Sequence, residues 1–121
     1  MEGNCLCGEV SFELTGEFSP AYQCHCSRCC RVSGTLFTSV LVVRKDNFKW
    51  LSGRESISCY VSSSGFKSEF CRSCGSPVPS INSDQDTYRV PTGLISDYLE
   101  TMLDAQDHIN SRVIRSESLN K

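Results

Sequence analysis

Hydrophobic and polar residues alternate in short runs along most of the chain. Val10, Phe12 and Leu14 alternate with Glu9, Ser11 and Glu13, the two-residue period of a strand with one buried face, and the run ends at Gly16. Residues 37–43 are richer in β-branched and aromatic side chains and predict a more deeply covered strand. Phe48 and Trp50 begin a further alternation before Gly53. Ile57, Cys59 and Val61 alternate up to Ser62-Ser63-Ser64-Gly65, after which Phe66, Ser68 and Phe70 run back toward Cys71, which predicts a hairpin. Short strands are expected over residues 78–81 and 88–90, with a polar loop at 82–86 between them. Tyr98, Leu99, Met102 and Leu103 recur at helical spacing. The fold class that follows is mainly β, with short antiparallel sheets and at most one short helix near the C-terminus.

A chain of 121 residues with 39% hydrophobic content can fill one modest core rather than two. Residues 1–103 are expected to form one metal-binding domain, and 104–121 a polar C-terminal tail with little to bury. The net charge of −2, with Lys and Arg scattered, argues against nucleic acid as a partner. The longest apolar run, Val40-Leu41-Val42-Val43, is too short to cross a bilayer, and the first residues do not read as a targeting segment. A soluble, cytoplasmic protein is the expectation, with oligomeric state left open.

Nine cysteines change this picture, because seven of them fall into close pairs and triplets. Cys5 and Cys7 form a CxC, Cys24, Cys26 and Cys29 a CxCxxC, and Cys71 and Cys74 a CxxC. In a reducing compartment such spacing marks metal ligands rather than disulfides. A structural zinc site pairs two knuckles far apart in sequence, and Cys5, Cys7, Cys71 and Cys74 supply four thiolates. That leaves Cys24, Cys26 and Cys29 as three ligands with one corner unassigned, the composition of a catalytic zinc site. Two zinc ions per chain are therefore expected. The fourth corner stays open to Cys30, His25 or a distant residue. Cys30 directly follows a ligand and reads as a free thiol, and His25, lying between two ligands, is expected to face away from them. Cys59, inside an apolar alternation, reads as a small buried hydrophobe.

The run Cys5-Leu6-Cys7-Gly8-Glu9-Val10-Ser11-Phe12, then Cys24-His25-Cys26-Ser27-Arg28-Cys29 followed by Gly34, then Phe70-Cys71-Arg72-Ser73-Cys74-Gly75, then Gly93-Leu94-Ile95, closely resembles the glutathione-dependent formaldehyde-activating enzyme family. The resemblance covers roughly residues 3 to 95. It implies an Mss4-like β-tent fold stabilised by two zinc ions, with Cys5, Cys7, Cys71 and Cys74 structural and Cys24, Cys26 and Cys29 catalytic. It also implies a carbon–sulfur lyase-type reaction: glutathione, or a similar thiol, adds to formaldehyde or a small aldehyde, or the reverse cleavage occurs. His25, Ser33 or Thr35 would orient the substrate.

Two other functions fit the same residues. One is a zinc protein that binds glutathione or another thiol without turnover. The other is a zinc-stabilised interaction module, a reading that requires the fourth corner of the second site to be filled.

Overall fold

The computed structural model describes residues 1–17 and 20–95. The helix expected around Tyr98 to Leu103 and the tail at 104–121 lie outside the described residues. Nine strands are present among the described residues: β1 Glu2–Asn4, β2 Ser11–Leu14, β3 Tyr22–Cys24, β4 Thr38–Arg44, β5 Phe48–Ser52, β6 Ile57–Val61, β7 Lys67–Cys71, β8 Ser80–Ile81 and β9 Thr87–Pro91. One α-helix, α1 Ser27–Ser33, follows β3, and three single 3-10 turns occupy Lys45–Asn47, Arg54–Ser56 and Thr92–Leu94. None of these elements is a helix long and apolar enough to cross a membrane.

The strands form three antiparallel sheets, ordered β1-β2-β5, β3-β4-β9-β8 and β6-β7. The first two face each other across the main core. Phe12 and Leu14, the inward positions of β2, meet Leu41 and Val43 of β4, Val90 of β9 and Ile95. Phe48 stacks on Phe12 at 5.5 Å and on Tyr88 at 4.0 Å between ring centres, closing one edge of this core. A second, smaller core gathers Cys5, Val10, Cys71 and Val78, and Trp50 packs against both. Among the described residues the two cores adjoin through Trp50, and the smaller one is built partly of cysteine.

The β6-β7 ribbon behaves differently. Its register pairs Ile57 with Cys71 at one end and Val61 with Lys67 at the other, as the sequence alternation suggests. The Ile57–Cys71 end packs into the smaller core and Phe66, at the other end, lies under the Arg28 guanidinium, but β6 beyond Ser58 has no layer over it, so Cys59, Tyr60 and Val61 are exposed. The expectation that Cys59 is a buried hydrophobe is therefore wrong: alternation predicts a strand, but this half of a two-stranded ribbon has no covering layer. The strand expected at 78–81 is shortened to Ser80–Ile81, because Pro77 and Pro79 cannot donate to a ladder.

On the β4-β9 sheet, one face serves the core and the other a cleft. Leu41, Val43 and Val90 point inward, whereas Val40, Arg89 and Pro91 lie on the opposite face.

Candidate metal centres

The sequence brings Cys5 and Cys7 together by a tight turn. The Gly8 amide donates to the Cys5 carbonyl at 3.0 Å, and Gly8 takes φ +82°, a left-handed conformation costly for any residue with a β-carbon. The same device closes the second knuckle, where the Gly75 amide donates to the Cys71 carbonyl at 2.7 Å and Gly75 has φ +79°. The two knuckles meet because β7 delivers Cys71 beside Val10 and Cys5 in the smaller core.

The sulfurs of Cys5, Cys7, Cys71 and Cys74 all lie within 4.8 Å of one another. Cys5 to Cys7 is 3.6 Å and Cys7 to Cys71 is 3.8 Å. A tetrahedral ion with metal–sulfur bonds of about 2.3 Å spaces its sulfurs by roughly 3.8 Å, so this group fits a zinc-sized cation. Polar partners already meet the sulfurs: the Val10 amide donates to Cys5 Sγ at 3.3 Å, and the Cys74 thiol donates to Ser76 Oγ at 3.2 Å. The Ser76 hydroxyl and amide, helped by the Cys7 amide, push the Cys74 thiol down to about 5. The Glu9 amide pulls Cys7 down too, yet burial and crowding by Cys5, Cys74 and Cys71 carry it up to about 12. Four thiols this close cannot all ionise without a cation to share, which is the chemistry of a metal-ligand set.

The second group is organised by α1. Cys26 occupies the N-cap, its sulfur accepting from the Cys29 amide at 3.3 Å, and this places the sulfurs of the CxxC side by side. Cys24, the last residue of β3, reaches Cys29 Sγ at 3.2 Å. The three sulfurs lie within 4.8 Å of one another, and this group also could hold a metal ion. Cys29 is buried and Cys26 exposed. Hydrogen bonding from the Cys29 side chain and amide draws the Cys26 thiol down to about 7. Burial, with Cys26 as neighbour, pushes Cys29 up to about 11.

The remaining sequence candidates fall outside both groups. His25 directs its ring toward Gln23 Oε1, at 3.3 Å, and Phe37, at 5.4 Å between centres. Cys30 Sγ lies 3.1 Å from the Leu36 carbonyl and 3.7 Å from that of His25. Ser33 donates to the Cys29 carbonyl at 2.9 Å and Thr35 to the Phe37 carbonyl at 2.6 Å, so both hydroxyls tie down the turn after α1. Among the described residues, no fourth His, Cys, Asp or Glu joins Cys24, Cys26 and Cys29.

A cleft of about 470 Å³ opens beside this second group, with Cys29 in its wall. Phe37, Val40, Phe66, Val78 and Pro91 make it largely apolar, and its volume suits a small organic ligand. Two features there were not legible in the sequence. Arg89 Nη2 donates to Cys29 Sγ at 3.1 Å. Burial works against the Arg89 charge, but Cys29 and Tyr22 beside it outweigh that and raise its pKa above the ordinary value. Thr38 Oγ1, also in the wall, is buried with no hydrogen-bond partner among the described residues. An unpaired buried hydroxyl is costly.

The family model described as glutathione-dependent formaldehyde-activating enzyme matches residues 1–112. A solved structure of a Rhodobacter sphaeroides protein is similar in fold, with a TM-score of 0.65 and 26% sequence identity over 78% of this chain and 87% of that one.

Proposed function

The chain belongs to the glutathione-dependent formaldehyde-activating enzyme family, and from that premise we propose that it is a zinc-dependent carbon–sulfur lyase-type enzyme joining glutathione, or a similar small thiol, to formaldehyde or a small aldehyde, and reversing that step. Cys5, Cys7, Cys71 and Cys74 would hold a structural zinc, and Cys24, Cys26 and Cys29 the catalytic one. When bound at the second group, zinc supplies a soft cation that favours the thiolate form of an incoming thiol. We read residues 1–103 as the metal-binding domain.

The single observation that carries this reading is the three-sulfur group with no fourth side-chain ligand among the described residues, one of whose members, Cys29, lies in the wall of a cleft. A purely structural site would close its fourth corner with protein. The chain's own contribution is placement. Cys29 stands in the wall of the cleft among largely apolar side chains, which suit an organic ligand. In the addition, the sulfur forms a bond to the carbonyl carbon, the carbonyl π pair goes to oxygen, and the proton lost by the thiol is regained there from solvent. Nothing is oxidised or reduced. Formaldehyde is electrophilic enough to need little further activation, so orientation and thiol ionisation are the main tasks.

The test is NMR exchange spectroscopy on labelled formaldehyde with glutathione, using zinc-loaded protein. Exchange into the hydroxymethyl adduct should exceed the spontaneous rate, and Cys29→Ala should remove the excess. Exchange at the spontaneous rate with the wild type would leave a thiol-binding protein without turnover.

A further inference from the structure

β9 alternates between the two sides of its sheet, and this puts one cation against the sulfur group. Val90 is fully buried in the main core, whereas Arg89, next to it, lies in the wall of the cleft. Arg89 comes from 60 residues beyond Cys29, yet its Nη2 donates to Cys29 Sγ at 3.1 Å. Among the described residues it forms no ion pair with a carboxylate, and its other polar neighbour is the Tyr22 hydroxyl. The four-sulfur group is different. Its partners are neutral, namely the Val10, Glu9, Cys7 and Ser76 amides and the Ser76 hydroxyl, and no Lys or Arg among the described residues hydrogen-bonds its sulfurs.

Charge counting gives this contact its meaning. Three thiolates around a divalent cation leave one uncompensated negative charge, and a thiolate arriving from solution would double it. A guanidinium at hydrogen-bond distance cancels the first charge before the second arrives. It also fixes the direction of the Cys29 sulfur, as partners outside the ligand set do in metal sites generally. We infer that Arg89 is a positioning residue of the three-cysteine centre: it neutralises the centre, holds Cys29 in place for the metal, and so makes the open corner acceptable to an anionic thiol. This rests on Cys24, Cys26 and Cys29 holding a metal, but not on the aldehyde chemistry.

The test uses the full chain loaded with cobalt(II), whose thiolate absorption reports each site, titrated with a chelator. Loss of a partner outside the ligand set weakens metal binding by about 10–100-fold. Arg89→Met should therefore release one of its two cobalt equivalents at a chelator concentration lower by about that factor, while the other equivalent leaves as in the wild type. Arg89→Lys, which restores charge without the planar fork, should fall between them. Release of both equivalents at wild-type concentrations in Arg89→Met would overturn the inference. So would early release of both together, which would mean Arg89 supports the fold and not this centre. Should Arg89→Met fail to fold, Arg89→Gln and Arg89→Lys carry the comparison, and equal release from these two would refute the role of charge. A wild-type chain that holds both metals but leaves the exchange rate of formaldehyde unchanged removes the enzyme reading and leaves this one intact.

Discussion

Replacing Cys5 with alanine removes one corner of the four-sulfur group without touching the β6-β7 ribbon that the group holds down. The ribbon pairs with no other sheet, and a lone two-stranded hairpin is marginal in water. Its apolar attachment in the smaller core has few buried contributors. Apart from the ligands Cys5 and Cys71, the buried members of the smaller core are Val10 and Val78, worth about 1.5–3 kcal/mol each if fully buried. Against them stands the cost of closing the chain between Cys7 and Cys71, a separation of 64 residues, at about 4 kcal/mol. The apolar contribution and the closure cost nearly cancel. A structural zinc there, as proposed, would add on the order of 10–16 kcal/mol and decide the outcome. Cys5→Ala also strips the Val10 amide of its sulfur acceptor. Hydrogen exchange followed by mass spectrometry, on chelator-treated Cys5→Ala, should show amides of residues 57–61 and 67–71 losing most of their protection. Those of residues 87–91, between β4 and β8, should keep theirs. Ribbon amides as protected as in the wild type would refute the reasoning, since the metal would then not be what fastens the ribbon.

Phe12→Ala removes a fully buried ring at the centre of the main core and should cost about 3–5 kcal/mol by urea denaturation; a loss under 1 kcal/mol would contradict the described core. Cys59 is exposed and belongs to neither sulfur group, so alkylation of zinc-loaded protein should modify it before Cys29 or Cys71, as peptide mapping will show. Asp84 Oδ1 accepts from the Asp86 and Thr87 amides at 2.9 and 3.1 Å, and the Asp86 amide above all holds this carboxyl below the usual aspartate range. Because the folded value lies below the unfolded one, the stabilisation is complete above about pH 3.9 and is lost as pH falls through the folded value. The melting-temperature gap between wild type and Asp84→Ala should accordingly be widest near neutrality and close in acid, and a gap independent of pH would count against the Asp84 turn.

What the sequence made legible depended on period. β2, β5 and the β6-β7 ribbon could be read because each buries alternate residues or is bounded by turn residues such as Ser62 to Gly65. β1 and β3 were not legible: each has three residues, and Glu2-Gly3-Asn4 carries no apolar side chain to set a period. α1 is a more instructive case. Ser27-Arg28-Cys29-Cys30-Arg31-Val32-Ser33 has no helical apolar stripe, and its one buried residue is Cys29. It forms because Cys26 caps one end and Gly34 the other, so the sulfur group and the helix depend on each other. The grouping of the seven cysteines was legible because metal-ligand spacing is local in each cluster, and the fold places those same groups together. Arg89 was not, since alternation shows only that it faces away from the core, and what it meets there is set by where α1, lying against β4, brings Cys29. Cys59 was misread for the same reason in reverse: the pattern gave a strand but not whether a layer covers it.

The central claim is that Cys24, Cys26 and Cys29 form an open metal centre that takes a thiol. Zinc per chain, measured in wild type and Cys26→Ala with glutathione titrated into each by calorimetry, tests it most directly. Two zinc ions falling to one in the variant, with glutathione binding lost, is the predicted result. One zinc in both proteins, or two with no response to glutathione, would contradict it.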